Sequence, residues 1–258
     1  MVRRVVVTGS ASGIGRSLAG LLADQGDEVI GVDLDGAAVR ADLATEQGRA
    51  AAVASVLDVS GGAVDAVVAC AGLSVRDARA VRVNFFGTTA LLDGLRRTLA
   101  AAEAPRAAVV GSVSGTRPAD GAVVDACLAG DEPGAVARAE QVAAEGNGNL
   151  LYPASKAALA RWVRGRSVTG EWAGNGIALN AVAPGVVRTP MSAGLFEDER
   201  MRKAMDEAVP MPLNGYADPV AVAYALRWLV SPENSHMAGQ VLYVDGGAEA
   251  TLRGQDVY

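Results

Sequence analysis

Arg4-Val-Val-Val-Thr8-Gly9-Ser-Ala-Ser-Gly13-Ile-Gly15 decides the fold of this chain: a short apolar run ends in a glycine-rich turn and passes directly into a helical pattern. Glycine permits the tight turn and lets backbone approach a pyrophosphate closely. The helix start beyond it offers unpaired amides and the positive end of a dipole. A second apolar run, Val29-Ile-Gly-Val-Asp33, ends in an acid 18 residues after Gly15. A carboxylate there can accept hydrogen bonds from adenosine ribose hydroxyls. Strand, glycine turn, helix, strand and acid, in that order, are the context that a dinucleotide-binding turn requires.

Outward from that turn, short apolar runs alternate with longer amphipathic ones, the pattern of parallel strands joined by helices. Strands are expected at 3–8, 27–33, 38–43, 64–70, 106–112, 176–182 and 239–245, and helices near 13–24, 45–57, 78–101, 152–173 and 218–230. Asp218-Pro219 reads as an N-cap followed by proline at the first helical position. The expected fold is α/β: a single doubly wound, Rossmann-type parallel sheet of about seven strands flanked by helices, one domain over 1–258. Two segments break the alternation. Residues 116–149 carry helical pieces, including Pro133 to Glu145, and form an insertion. Residues 189–213 hold Met191, Met201, Met205 and Met211, with Leu195 and Phe196.

Composition narrows the function. Half the 258 residues are hydrophobic and 20% are charged, which supports a sizeable core. A net charge of −6 offers no basic footprint for nucleic acid or an anionic membrane. Two cysteines, Cys70 and Cys127, are too few for a disulfide framework or a zinc site, and the lone His236 has no ligand neighbours, so no metal is expected. The N-terminal apolar run is too short for a secretory signal, and no stretch reaches the 18–20 residues of a membrane span. A cytoplasmic location is expected.

Tyr152 and Lys156, four apart in Tyr-Pro-Ala-Ser-Lys, share one face of a helix. A free tyrosine, with a pKa of about 10, is too weakly acidic to act as a base near neutrality. An adjacent ammonium would favour the phenolate by about 4 kcal/mol, or roughly three pKa units. Asp33 sets the expected cofactor. A carboxylate facing the 2′-phosphate of NADP costs about 1–4 kcal/mol at close range. Neither Ser12 nor Leu34 supplies a compensating cation, and Arg16 reads as helix surface, so NAD is expected.

Glycine run, acid and Tyr-Lys pair together resemble the short-chain dehydrogenase/reductase family over nearly the whole chain. Ala69-Cys70-Ala71-Gly72 stands where that family usually has Asn-Asn-Ala-Gly, a departure at the first two positions. Asn84 in Val-Asn-Phe-Phe-Gly matches its helix asparagine, and Ser112 in Gly-Ser-Val-Ser-Gly its catalytic serine, with Ser114 a competitor. Pro184-Gly185 and Thr189 match its nicotinamide-side loop, and Asp245-Gly-Gly its closing strand. Within the family the chain is similar to the bacterial 3α-hydroxysteroid dehydrogenase/carbonyl reductase branch. The shared features are the insertion that puts Tyr152 40 positions after Ser112, the Gly-Asn-Leu-x-Tyr approach, and Asp42-Leu43 after a short third strand.

The resemblance implies an NAD-dependent enzyme that interconverts a secondary alcohol and a ketone on a bulky apolar substrate, steroid, terpenoid or other cyclic. Ser112, Tyr152, Lys156 and Asn84 would be catalytic, with Asn84 anchoring a water that links Lys156 to solvent. Gly9, Ser12, Gly13, Ile14, Gly15, Asp33, Asp42, Leu43, Cys70, Ala71, Gly72, Pro184, Gly185, Val187 and Thr189, with Tyr152 and Lys156, would hold the cofactor. Segment 189–213 would be a substrate lid, with Met191, Leu195 and Phe196 beside Ser114 meeting the substrate. The insertion, with its apolar Val123, Val124, Leu128, Val136 and Val142, would obstruct one helix-pair contact, giving a homodimer in place of the family's frequent homotetramer. The rival readings are a catalytically silent NAD-binding sensor or scaffold of the same fold, and an epimerase or dehydratase of the extended branch, whose C-terminal substrate domain finds no room after Asp245.

Overall fold

The computed structural model describes residues 2–257 and places seven parallel strands in one sheet. The strands are β1 (Arg4–Thr8), β2 (Glu28–Asp33), β3 (Val39–Arg40), β4 (Ala66–Ala69), β5 (Arg106–Val110), β6 (Ala178–Pro184) and β7 (Val241–Val244), in the spatial order β3-β2-β1-β4-β5-β6-β7. The order reverses at β1, which pairs β2 on one side and β4 on the other, with Thr8 opposite Val32 and Ala69. A crevice opens at such a switch point, beyond the carboxyl ends of the strands.

Alternation along β1 explains the two layers. Val5 and Val7 point to one face, where α1 (Gly13–Asp24) contributes Leu18 and Leu22 and α10 (Pro219–Leu229) contributes Val222, Leu226 and Leu229. Val6 points to the other, against α2 (Glu46–Val59), α4 (Thr88–Leu99) and α7 (Leu151–Arg166). Both faces are covered, as a parallel sheet requires.

The insertion folds as α5 (Gly121–Ala129) and α6 (Glu132–Ala144). Asp120 caps α5 by accepting from the Val123 amide at 2.9 Å, and Asp131 caps α6 by accepting from Gly134 at 3.0 Å. Arg138 reaches back from α6 to Asp120 at 2.7 Å, and Arg49 of α2, 5% exposed, binds Glu132 through two contacts of 2.5 and 3.2 Å. Val123, Val124 and Val142 are buried in the same core as α7, so their own subunit satisfies them; Val136 is buried as well, and Leu128 stays exposed.

Four local expectations are corrected. The third strand keeps only two residues, because Asp42 turns the chain by accepting from the Ala44 amide at 2.9 Å. The long helix expected over 78–101 divides into α3 (Arg79–Val81), a π-helical stretch Arg82–Gly87, and α4. α7 stops at Arg166, and Trp172 beyond it is fully buried edge-on to Trp162 at 5.9 Å. Asp218 does stand at the N-cap of α10, but its side chain makes no cap bond and lies 3.6 Å from Arg188. Segment 189–213 forms α8 (Ala193–Glu197) and α9 (Glu199–Ala208), and α11 (Ala248–Arg253) follows β7.

Candidate active site

The glycine turn is shaped by contacts that exclude a side chain. Gly9 and Gly13 have φ of +65° and +51°, and a Cβ on Gly15 would lie 2.2 Å from the Gly9 carbonyl oxygen. Gly15 therefore lets α1 start directly against the strand end. Ser12 occupies the N-cap of α1 in extended conformation, but no side chain caps the helix there. Its first-turn amides, and the helix dipole, face the switch-point crevice with no carboxylate neutralising them. Those residues fit a pyrophosphate.

Asp33 ends β2 with both oxygens engaged: one accepts from the Ala11 amide at 2.9 Å, the other from Leu34 at 2.7 Å. It fixes the glycine turn to the neighbouring strand and keeps lone pairs for a ligand. Arg16 is exposed on α1. Thr8 stands in the motif without an assigned role: its Oγ1 accepts from the Ala71 amide at 2.9 Å and pins the 69–72 loop to β1. Gly13 packs toward Thr189, whose Cγ2 would be 3.1 Å from an added Cβ, so the 184–189 loop meets the glycine turn. The Leu43 side chain is 7% exposed and packs in the core.

The Tyr-Lys helix is placed by polar anchors. Lys156, 4% exposed, donates from Nζ to the Val110 carbonyl at 2.7 Å, two residues before Ser112. Ser112 heads a 3-10 turn, Val113–Thr116, and its Oγ accepts from the Ser114 amide at 3.1 Å. Tyr152 lies within hydrogen-bonding reach of Ser112, and Lys156 Nζ stands 5.8 Å from the phenol ring centre. Ser112, Tyr152 and Lys156 thus meet at the carboxyl end of β5, while Ser114 positions the Ser112 hydroxyl through its backbone.

Asn84 is fully buried and its side chain makes three hydrogen bonds. Oδ1 accepts from Leu73 N at 2.7 Å, and Nδ2 donates to Leu73 O and to Ser155 Oγ, both at 2.9 Å. Ser155 in turn donates to the Tyr152 carbonyl at 2.8 Å. Asn84 therefore braces loop and helix together, and its Oδ1 and Lys156 Nζ both crowd Gly72, at 3.1 and 3.6 Å from where a Cβ would stand. The wide π turn that carries it is a common device at functional sites. Ser155 went unassigned in the sequence although it stands next to Lys156. Only the folded chain shows its partner.

The electrostatics correct one expectation. The Tyr152 phenol is pushed above its ordinary value by burial, with the Ser112 hydrogen bond pulling it part of the way back. Lys156 falls to about 8, again through burial. The ammonium points at the Val110 carbonyl, so its attraction does not lower the phenol as spacing alone suggested; loss of water dominates both groups. Cys70, beside Lys156, is raised to about 12 by burial and stays a thiol.

Segment 189–213, the expected lid, packs against the body through a small apolar cluster. Phe196, Met205 and Met211 pack with Val113, Val186 and Tyr243, while Met191 and Met201 are 53% and 47% exposed. The Leu195 side chain lies outside the described residues. Met211 is the anchor: its Sδ accepts from the Val186 amide at 3.2 Å and sits over Gly185. Tyr216 donates its hydroxyl to Asp206 of α9, tying that helix to the body. Asp245 accepts from Gly247 and Glu249 and caps α11. Among the described residues there is no cluster of metal ligands, and no helix is long and apolar enough to cross a membrane.

Known proteins resemble the chain over its whole length. A family model described as Enoyl-(Acyl carrier protein) reductase matches residues 9–249. The 3-alpha-hydroxysteroid dehydrogenase/carbonyl reductase of Comamonas testosteroni is 35% identical, over 96% of this chain and 97% of its own. The cis-4-hydroxycyclohexanecarboxylate dehydrogenase of Sinomonas cyclohexanicum is 32% identical over 96% and 97%. The crystal structure of the 3-alpha-hydroxysteroid dehydrogenase from Pseudomonas sp. B-0831, complexed with NADH, superimposes with a TM-score of 0.89 at 44% identity, covering 97% of this chain and 98% of that one.

Proposed function

The chain belongs to the short-chain dehydrogenase/reductase family of oxidoreductases, and from that premise we propose that it uses NAD to interconvert a secondary alcohol and a ketone on a bulky apolar substrate. The observation that carries this reading is the meeting of Ser112, Tyr152 and Lys156 at the end of β5, beside a glycine turn whose helix start lacks a side-chain cap. NADH in the Pseudomonas relative, and the hydroxysteroid and hydroxycyclohexane names of the relatives, support the cofactor and the alicyclic substrate class.

Gly9, Gly13 and Gly15 would admit the pyrophosphate against the start of α1, and Asp33 would receive the adenosine ribose. Bound there, the nicotinamide supplies the hydride acceptor or donor. Tyr152 moves the proton at the substrate oxygen. Its raised pKa keeps it a phenol at neutral pH, the form that protonates a ketone being reduced. Ser112 donates to the same oxygen and stabilises the charge developing on it. Lys156, an ammonium below about pH 8, would bind the nicotinamide ribose. Asn84 and Ser155 hold the helix start that carries Tyr152.

A screen of NAD reduction against steroid, terpenoid and simple cyclic alcohols, with Tyr152→Phe as control, tests the assignment. Turnover with an alicyclic alcohol that disappears in Tyr152→Phe, while NADH still binds by fluorescence, is expected. NADH binding without turnover of any alcohol would mark the chain as a binding protein of the same fold.

A further inference from the structure

Three arginines outside the active site converge on one recess. Arg117 follows the 3-10 turn, Arg161 lies on α7 and Arg253 ends α11; with Gly115, Thr116 and Gly121 they line a cavity of about 390 Å³. Its lining contains no Asp or Glu. Arg253 pairs with Glu249 at 2.6 Å, whereas Arg117 and Arg161 form no ion pair among the described residues. In a chain of net charge −6, two unpaired guanidiniums and a third at one concave site are not a general surface trend. Like charges held together in a recess favour an anion between them, and guanidinium presents a planar fork suited to carboxylate and phosphate oxygens.

The recess is separate from the candidate active site yet shares a wall with it. Arg161 follows Tyr152 by nine residues, about two and a half helical turns, so the two side chains leave α7 on opposite faces. Gly115 lies flat on α7: an added Cβ would be 3.1 Å from the Lys156 carbonyl carbon and 3.2 Å from the Ala157 nitrogen. Ser112 heads the same turn.

We propose that this recess binds a small polyanion bearing phosphate or carboxylate groups, gripped by Arg117 and Arg161 with Arg253 at the rim. Such a ligand bridges the end of the Ser112 turn to the back of the Tyr152 helix and clamps one onto the other. The site does not depend on which alcohol the enzyme turns over.

Calorimetry and thermal unfolding of the full chain, with inorganic phosphate and with citrate against sodium chloride at matched ionic strength, test the site; saturating NADH keeps the glycine turn out of the measurement. Saturable binding and a melting point raised by several degrees are expected in the native protein. Arg117→Gln/Arg161→Gln should bind at least tenfold more weakly while keeping its activity in anion-poor buffer, and Arg161→Lys should retain part of the affinity. Preference between the two probes identifies the headgroup. A rise reproduced by chloride, binding abolished by NADH, or unchanged affinity in the double variant would overturn the proposal.

Discussion

Tyr152 and Lys156 lose water together when α7 packs, and the loss moves them in opposite directions, the phenol up and the ammonium down to about 8. For Lys156 the folded chain binds fewer protons than the unfolded one between about pH 8 and about 10.4. The Lys156 contribution to stability must therefore rise with pH across that window, as the burden of a buried ammonium is relieved. Melting curves of the native protein and Lys156→Met should converge on this point: the native protein gains relative to the variant from pH 8 upward. A flat difference would mean the ammonium stays charged. Alcohol oxidation should climb into the alkaline range, since a buried phenol gives up its proton only there, while ketone reduction runs at neutral pH; initial-rate profiles in both directions check this. At the adenosine end, Asp33→Ala should narrow the preference for NAD over NADP, expected at tenfold or more in kcat/KM. The same change also releases the Ala11 amide, so cofactor affinity should fall for both nucleotides.

At the scale of elements, the glycine turn and the insertion make opposite demands. Gly15→Ala would drive a Cβ to 2.2 Å from a backbone oxygen that cannot move aside. A loss of about 1–3 kcal/mol or more and failure to bind NADH are expected, read by unfolding and fluorescence. The insertion is held by caps and ion pairs at its corners. The Asp120 carboxyl is kept below the usual range, first by its hydrogen bond to Arg138 and then by the Val123 amide. Its contribution is present above the unfolded carboxyl value, about 3.9, and is lost as pH falls through the folded one. Asp120→Ala should cost about 1 kcal/mol at neutral pH and less under acid, in urea unfolding at both values.

For the whole molecule, the insertion folds onto its own α7, so part of that helix is covered before any second subunit arrives. The expected assembly is therefore a homodimer, near twice 26.2 kDa by light scattering. A mass near four times that value would show that α5 and α6 leave the helix pair free. Exposed Val220, Tyr224 and Trp228, spaced by four along α10, give the molecule a second apolar face away from the insertion.

The sequence by itself determined what is local or strictly periodic. The bounds of α1 coincide with the expected 13–24, since the glycine turn and the spacing of Leu18 and Leu22 lie within one segment. β1, β4, β5 and β6 fell where the apolar runs fell, because strands buried on both faces are dominated by apolar residues. Motif order was enough to gather Ser112, Tyr152 and Lys156. Tertiary structure alone decided what depends on distant neighbours. Asn84 became a brace because Leu73 and Ser155 are 11 and 71 residues away, and its helix widened to reach them. Leu43 went into the core because Gly87 leaves room against it. The Tyr152 pKa rose where spacing predicted a fall, because burial is a property of the packed molecule and a four-residue interval carries no information about water.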